Sequence, residues 1–269
     1  MSTPATKGKA GATKSEGRGV QSVETGTRLL LALVEEAGPM MLKDLAQAAG
    51  LAPAQAHAYL VSYRKTGLVE QDTETGRYHL GRFALDLGIT SMRTTDPMNL
   101  ANETVSELSR RTALHVALVV WGSFGPTVVS VRESGSQLNM NTRPGTVYSM
   151  TGTASGRVFA AFLPERIVKD AIAREKRDHG GRVGVARFIT RREIDQIREQ
   201  GYATVEQPPV PGISAYSAPV FDHSGEMVMA VTIIGQDHYL EGGATATFLP
   251  ALAAATRDLS VKLGCRPMR

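Results

Sequence analysis

The chain has 269 residues, enough for one or two domains with cores of their own, and its apolar (42%) and charged (21%) fractions are ordinary for a globular protein. Lys and Arg outnumber Asp and Glu by 30 to 26, so the net charge of +4 is compatible with a polyanionic partner without identifying one. The single cysteine, Cys265, excludes an internal disulfide, a cysteine-rich zinc site and dithiol redox chemistry, and points to a reducing compartment. No apolar run approaches the ~20 residues that span a bilayer. The first residues carry no apolar signal core either, so the expected location is cytoplasmic, with no membrane partner.

Residues 1–19 are mostly Ser, Thr, Gly, Ala and Lys, with Lys7, Lys9, Lys14 and Arg18 against Glu16. Such a composition cannot bury a core and predicts a disordered basic arm. It could lie along phosphate; the plainer alternative is a tail without a role. Val20 to Ala37 read as an amphipathic helix, with Ser22 as N-cap, Val23, Leu30, Leu33 and Val34 on the apolar face, and Gly38-Pro39 as the stop.

Leu42, Leu45, Ala46 and Ala49 then recur at helical spacing, and Gly50 supplies the left-handed residue that often ends a helix. Pro53 suits a first helical turn because it has no N–H to leave unpaired. Ala56, Leu60 and Tyr63 continue that helix to Gly67. Leu68–Gln71, a turn from Asp72 to Gly76, and Arg77–Leu80 carry the signature of a short hairpin. Two helices joined by a turn and followed by a hairpin predict a winged helix-turn-helix over residues 20–82, a module that binds double-stranded DNA. Residues 83–96 follow as a linker helix, with Phe83, Leu87 and Ile89 to Met92 apolar and a break at Asp96-Pro97. Such a helix either packs against a dimer mate or caps the winged domain.

From residue 97 to 265 the pattern mixes helices and strands. Asn99–Thr112 reads as a helix, Val116–Trp121, Thr127–Arg132 and Gln137–Asn141 as neighbouring antiparallel strands, and Thr151–Phe162 and Glu165–Arg174 as helices. His179–Gly184 is a Gly-rich loop whose spacing is too weak for a phosphate cradle. Thr190 to Glu193 form a capping box opening a helix that Gly201 closes. Ala218–Asp222 and Met227–Ile234 flank a turn at His223-Ser224-Gly225, and a helix from about Ala246 to Leu263 ends the pattern. The predicted class is α+β.

Several motifs in register then resemble an IclR-type transcriptional regulator: Val20-Gln21-Ser22-Val23, Thr75 through Gly81, Thr153-Ala154-Ser155-Gly156-Arg157, Glu193-Ile194 with Ile197 through Ala203, and Gly212-Ile213-Ser214-Ala215 leading into Ala218 to Asp222. The resemblance covers residues 20–263. It implies a winged-helix DNA-binding domain, a linker helix, and a GAF-like effector-binding domain, an antiparallel sheet with flanking helices. It also implies homodimers, or tetramers as dimers of dimers, acting with a small-molecule effector on catabolic operons in bacteria.

A recognition helix reads base edges with residues of its first turns. The candidates here are Gln55, which can pair bidentately with adenine, and His57, with Ala54 and Ala58 able to meet thymine methyls. Arg64, Lys65 and Arg77 suit phosphate, which positions without specifying; Ser22 completes the DNA-contacting set. Members of the resembling family commonly carry a Lys near position 53 and an Arg near position 58, where this chain has Pro53 and Ala58, so direct readout is expected to be weak.

For the effector, a helix N-terminus with unpaired N–H groups suits a carboxylate. That places the amides of Ala154 and Ser155 and the hydroxyls of Thr153 and Ser155 at the start of a helix. The resemblance implies a lining of Val205, Ile213, Ala215, Thr232 and Ile234. Several family members have polar groups at the positions of Val205, Ala215 and Ile234, so the apolar residues here suit a ligand with a hydrophobic body, such as an aromatic acid. The alternative is that these residues are ordinary core.

No Gly-x-Ser-x-Gly elbow, His-Glu-x-x-His pair or Walker loop occurs, and the six histidines have no metal-ligand spacing. No cofactor, metal or catalytic residue is expected. Two alternatives stand beside the sensor: an effector-independent DNA-binding protein, and an enzyme using Ser155 or GAF-like chemistry.

Overall fold

The computed structural model describes residues 19–134, 142–177, 182–183, 189–205, 210–240 and 245–266. All of the basic arm but Gly19, the strand expected over Gln137–Asn141 and most of the Gly-rich loop lie outside these residues. The chain divides into two units, one ending at Thr95 and the other beginning at Asp96.

In the first unit, α1 (Gln21–Glu36) buries Gly26, Leu29, Ala32 and Leu33. Of the apolar face expected from the sequence only Leu33 is fully buried, and Val23 is 63% exposed. Ser22 is not the N-cap. The Val20 carbonyl accepts from Val23 N and Glu24 N, which makes Val20 the cap and places Ser22 inside the first turn, exposed. The helix stops at Glu36, two residues before Gly38, with Ala37 left-handed (φ 56°) and donating to Leu33 O.

The next two helices, α2 (Leu42–Ala48) and α3 (Pro53–Thr66), enclose a turn at Gly50 (φ +64°), and Gly67 (φ +76°) ends α3. Strands β1 (Val69–Gln71) and β2 (Tyr78–Leu80) pair antiparallel, Val69 opposite Leu80, and Met40 bridges to Tyr78. Leu29, Leu45, Leu60, Val69 and Tyr78 meet in one core. Full burial of each aliphatic side chain is worth about 1.5–3 kcal/mol. Helix α4 (Arg82–Thr94) buries no residue.

The second unit opens with α5 (Pro97–Thr112). Asp96, expected as a break, is its N-cap and accepts from Met98 N and Asn99 N. There follow β3 (His115–Gly122), β4 (Gly125–Arg132), β5 (Val147–Tyr148), α6 (Ala154–Phe162), α7 (Glu165–Arg177), β6 (Arg182–Val183), α8 (Arg191–Gln200), β7 (Ile213–Phe221), β8 (Met227–Gln236), α9 (Asp237–Leu240) and α10 (Thr245–Lys262). The sheet order is β6-β5-β4-β3-β8-β7, antiparallel except for the parallel β5–β6 pair.

Successive strand residues face opposite sides. Ala117 and Val119 on β3 and Ala230 and Ile234 on β8 join the core under α6, α7 and α8. Their neighbours Val116, Leu118, Val231 and Ile233 join the core that includes α5 and α10. Burial on both faces explains why β8 reads as a nearly unbroken apolar run. The capping box of Thr190 and Glu193 is formed, and Gly201 (φ +76°) closes α8 as expected.

Candidate functional site

On α3, Ala56 and Leu60 turn inward, while Gln55, His57, Ser62, Arg64 and Lys65 are exposed with Ala54 and Ala58. Tyr59 is half-buried against the core. The hairpin is braced to this helix. Arg64 Nη1 donates to Gln71 Oε1 (3.0 Å), and Gln71 Nε2 donates to Gly76 O (3.0 Å). Within the turn, Asp72 Oδ1 accepts from Glu74 N, Thr75 N and Thr75 Oγ1. The Thr75 backbone N–H, above all, holds the Asp72 carboxyl below the usual carboxylate range. Arg77 is exposed beside this turn, and its Nη1 donates to Pro39 O (3.2 Å). The exposed face of α3 and the hairpin thus combine a few polar groups with the cations of Arg64, Lys65 and Arg77, while Ser22 stands on the first turn of α1.

In the second unit, Thr153 caps α6. Its hydroxyl accepts from Gly156 N (3.0 Å) and donates to Ser149 O (2.8 Å). Gly156 is required there: a Cβ would collide with the Ser149 carbonyl oxygen and lie 2.7 Å from Met150 Cα. The loop before α6 is held from two further elements. Glu175 Oε2 on α7 accepts from Met150 N (2.8 Å). Arg157 donates through Nε to Thr151 O (2.9 Å), and its Nη1 lies 3.4 Å from Glu193 Oε1 on α8.

Ser155 and Thr232, each 1% exposed, share a hydrogen bond of 2.8 Å, and Thr232 shares another of 2.8 Å with Ser217. A chain of three hydroxyls therefore runs from the start of α6 across β8 to β7. Sheet register brings most of the remaining candidates alongside: Ala215 faces Ile234, Ser217 faces Thr232, and Ile213 lies two pairs beyond Ala215, opposite Gln236. Val205 is buried beyond Ala203, whose backbone bridges to Ser217. The structure thus gathers Thr153, Ala154, Ser155, Ile213, Ala215, Thr232 and Ile234 between α6 and the sheet, with the Thr153 hydroxyl engaged as a cap.

Sequence reading missed two members of this face. Ser217 became legible only once β7 was seen to begin at Ile213 rather than Ala218. His115 pairs with Ile234 at the start of β3, one residue before the strand expected from the apolar run. It is 2% exposed, and its Nδ1 accepts from Ser134 N (3.3 Å), which puts the proton of the neutral ring on Nε2. Burial pushes its pKa down, opposed by nearby Glu133. Among the described residues no group of His, Cys, Asp and Glu is arranged to hold a metal ion, and no helix is long and apolar enough to cross a membrane.

Residues 22–73 match the sequence model of the IclR helix-turn-helix domain, and residues 90–261 match that of the bacterial transcriptional regulator IclR C-terminal domain. The chain belongs to the IclR family. This IclR-family DNA-binding transcriptional regulator is 29% identical over 243 residues to the glycerol operon regulatory protein of Streptomyces coelicolor, covering 90% of this chain and 94% of that protein. The HTH-type transcriptional regulator XynR of Escherichia coli is 25% identical over 246 residues, covering 91% and 98%. The crystal structure of Pseudomonas aeruginosa HmgR superposes with a TM-score of 0.81 at 30% identity, covering 93% of this chain and 100% of that one. The fold of this regulator, a helix-turn-helix followed by an antiparallel sheet with flanking helices, matches that of HmgR.

Proposed function

We propose that this IclR-family regulator controls a catabolic operon in response to a small organic acid with an apolar body, such as an aromatic acid. The observation that carries this reading is the buried hydroxyl chain Ser155–Thr232–Ser217 at the N-terminus of α6, set among Ile213, Ala215 and Ile234. Buried hydroxyls at the positive end of a helix suit a carboxylate, and apolar neighbours suit a hydrophobic body. The operon context draws support from the S. coelicolor relative, which is a glycerol operon regulator by name. Operator contact falls to Gln55 and His57 for bases, and to Arg64, Lys65, Arg77 and Ser22 for phosphate. Half-site recognition by a homodimer, alone or paired into a tetramer, suits this geometry.

A thermal-shift screen with aromatic and short-chain acids tests the sensor reading. A ligand at 100 times its Kd adds about 2.7 kcal/mol to stability, which raises Tm by several degrees. Thr232→Val and Ser155→Ala should each reduce that shift, because both interrupt the hydroxyl chain. Absence of any shift across the panel leaves an effector-independent DNA-binding protein, and turnover of a hit points to an enzyme.

A further inference from the structure

Apart from both sites above, a cavity of about 350 Å³ opens between α10, the end of β7 and the turn that follows α8. Small-molecule pockets run from roughly 300 to 1,000 Å³. Its floor is apolar, built from Phe162, Phe221, Leu249 and Leu252. The two phenyl rings meet edge to face with centroids 5.2 Å apart, so they brace one another. Its charged lining among the described residues is of one sign: Arg198, Arg257 and Arg266 contribute to it, and no described Asp or Glu does.

Several other polar groups in the wall are engaged. Thr256 Oγ1 donates to Leu252 O, Ser260 Oγ donates to Thr256 O, and Ser260 Oγ also accepts from Phe221 N. Arg198 donates through Nε to Ala161 O, and its Nη1 stands 3.7 Å from Asp195 Oδ1. Arg257 and Arg266 are exposed at the mouth. The charge that this cavity offers is that of guanidinium groups, whereas the site around Ser155 offers hydroxyls.

Because β7 is an edge strand, an added β-strand is the first alternative occupant. From Ser217 to Phe221 the outward-facing donors are used or missing. Ser217 N donates to Ala203 O, Pro219 has no N–H, and Phe221 N donates to Ser260 Oγ. An edge without donors cannot build a ladder. Apolar burial and positive charge remain as the means of holding an occupant.

We propose that this cavity is a second ligand site of the regulator, and that it takes an amphipathic carboxylate, with the apolar tail on Phe162, Phe221 and Leu252 and the carboxylate at Arg257 and Arg266. The inference is independent of the effector site around Ser155. Titration calorimetry with octanoate as probe, on the full chain, tests it. Ala253→Trp fills the cavity from α10, and Arg257→Glu reverses charge at its mouth. Each should weaken octanoate binding about tenfold or more, while Arg257→Lys keeps most of it. If Ala253→Trp fails to fold, the Arg257→Glu and Arg257→Lys pair decides alone. Three results overturn the proposal: no binding to the wild-type chain; binding that survives both disruptive variants but is lost in Thr232→Val, which assigns octanoate to the other site; or a changed oligomeric state of Ala253→Trp with octanoate affinity intact, which marks the cavity as a contact between copies.

Discussion

Gln55 and Arg77 divide the proposed DNA contacts into the two kinds that physics separates. A bidentate amide on α3 discriminates bases, so Gln55→Ala should cost about 1–3 kcal/mol on operator and little on random DNA. Equal loss on both would remove Gln55 from base readout. Arg77 sits on the hairpin with its exposed guanidinium donating to Pro39 O, so Arg77→Ala should weaken binding to all sequences and lower the salt slope by about one. His115 yields a different kind of prediction. Its folded-state pKa is depressed by burial, so its contribution to stability is present in full above its ordinary value of about 6.5 and is lost as pH falls from there through the folded value. Urea titrations at successive pH values should show this decline in the wild-type chain, and His115→Leu should flatten it. An unchanged slope would mean that other groups set it.

At the scale of elements, Gly156 and two alanines invert the usual helix rules. Ala is ordinarily better than Gly inside a helix by about 1 kcal/mol. At Gly156 the added methyl meets the backbone of Ser149 and Met150, so Gly156→Ala should instead destabilise by about 1–3 kcal/mol, as overpacking does. Ala37 and Ala113 end α1 and α5 in left-handed conformation, with φ 56° and 55°. An L-residue there carries about 1–2 kcal/mol of strain, so Ala113→Gly should raise Tm, and a fall in Tm would show that side-chain packing outweighs backbone strain. The motif Thr-Ala-Ser-Gly-Arg was legible in the sequence as a helix start. That its Gly admits a crossing loop and that its Arg157 reaches Thr151 and Glu193 was not, because both depend on which segment passes over the helix.

For the whole molecule, α4 bears on the proposed dimer. Leu85, Ile89 and Met92 follow one another at i, i+4 and i+7 and remain 62%, 44% and 56% exposed. A 13-residue helix with no buried residue is marginal in water by itself, and the proposed dimer would cover this stripe with a second copy. The double variant Leu85→Glu, Ile89→Glu should lower the mass measured by light scattering and weaken operator binding more than it weakens binding to a half-site. A mass that stays the same would exclude α4 as the interface.

The sequence by itself determined the local architecture: the helices of the first unit, the left-handed glycines Gly50 and Gly67, the hairpin between Val69 and Leu80, the capping box at Thr190, and the ordered motifs that mark the family. Each depends on residues within a few positions of one another, where periodicity and backbone preference act directly. Helix faces were less secure: Ser22 and Val23 looked like a cap and a core residue, but the Val20 carbonyl and the packing of Leu29 set a different phase. Only the tertiary structure could bring Ser155 to Thr232, 77 residues apart, or add Ser217 and His115 to the same face. The physical reason lies in β8: buried on both sides, it carries almost no alternation, so nothing in its own residues says which of them face α6. Register with β3 and β7 decides that, and register belongs to the folded sheet.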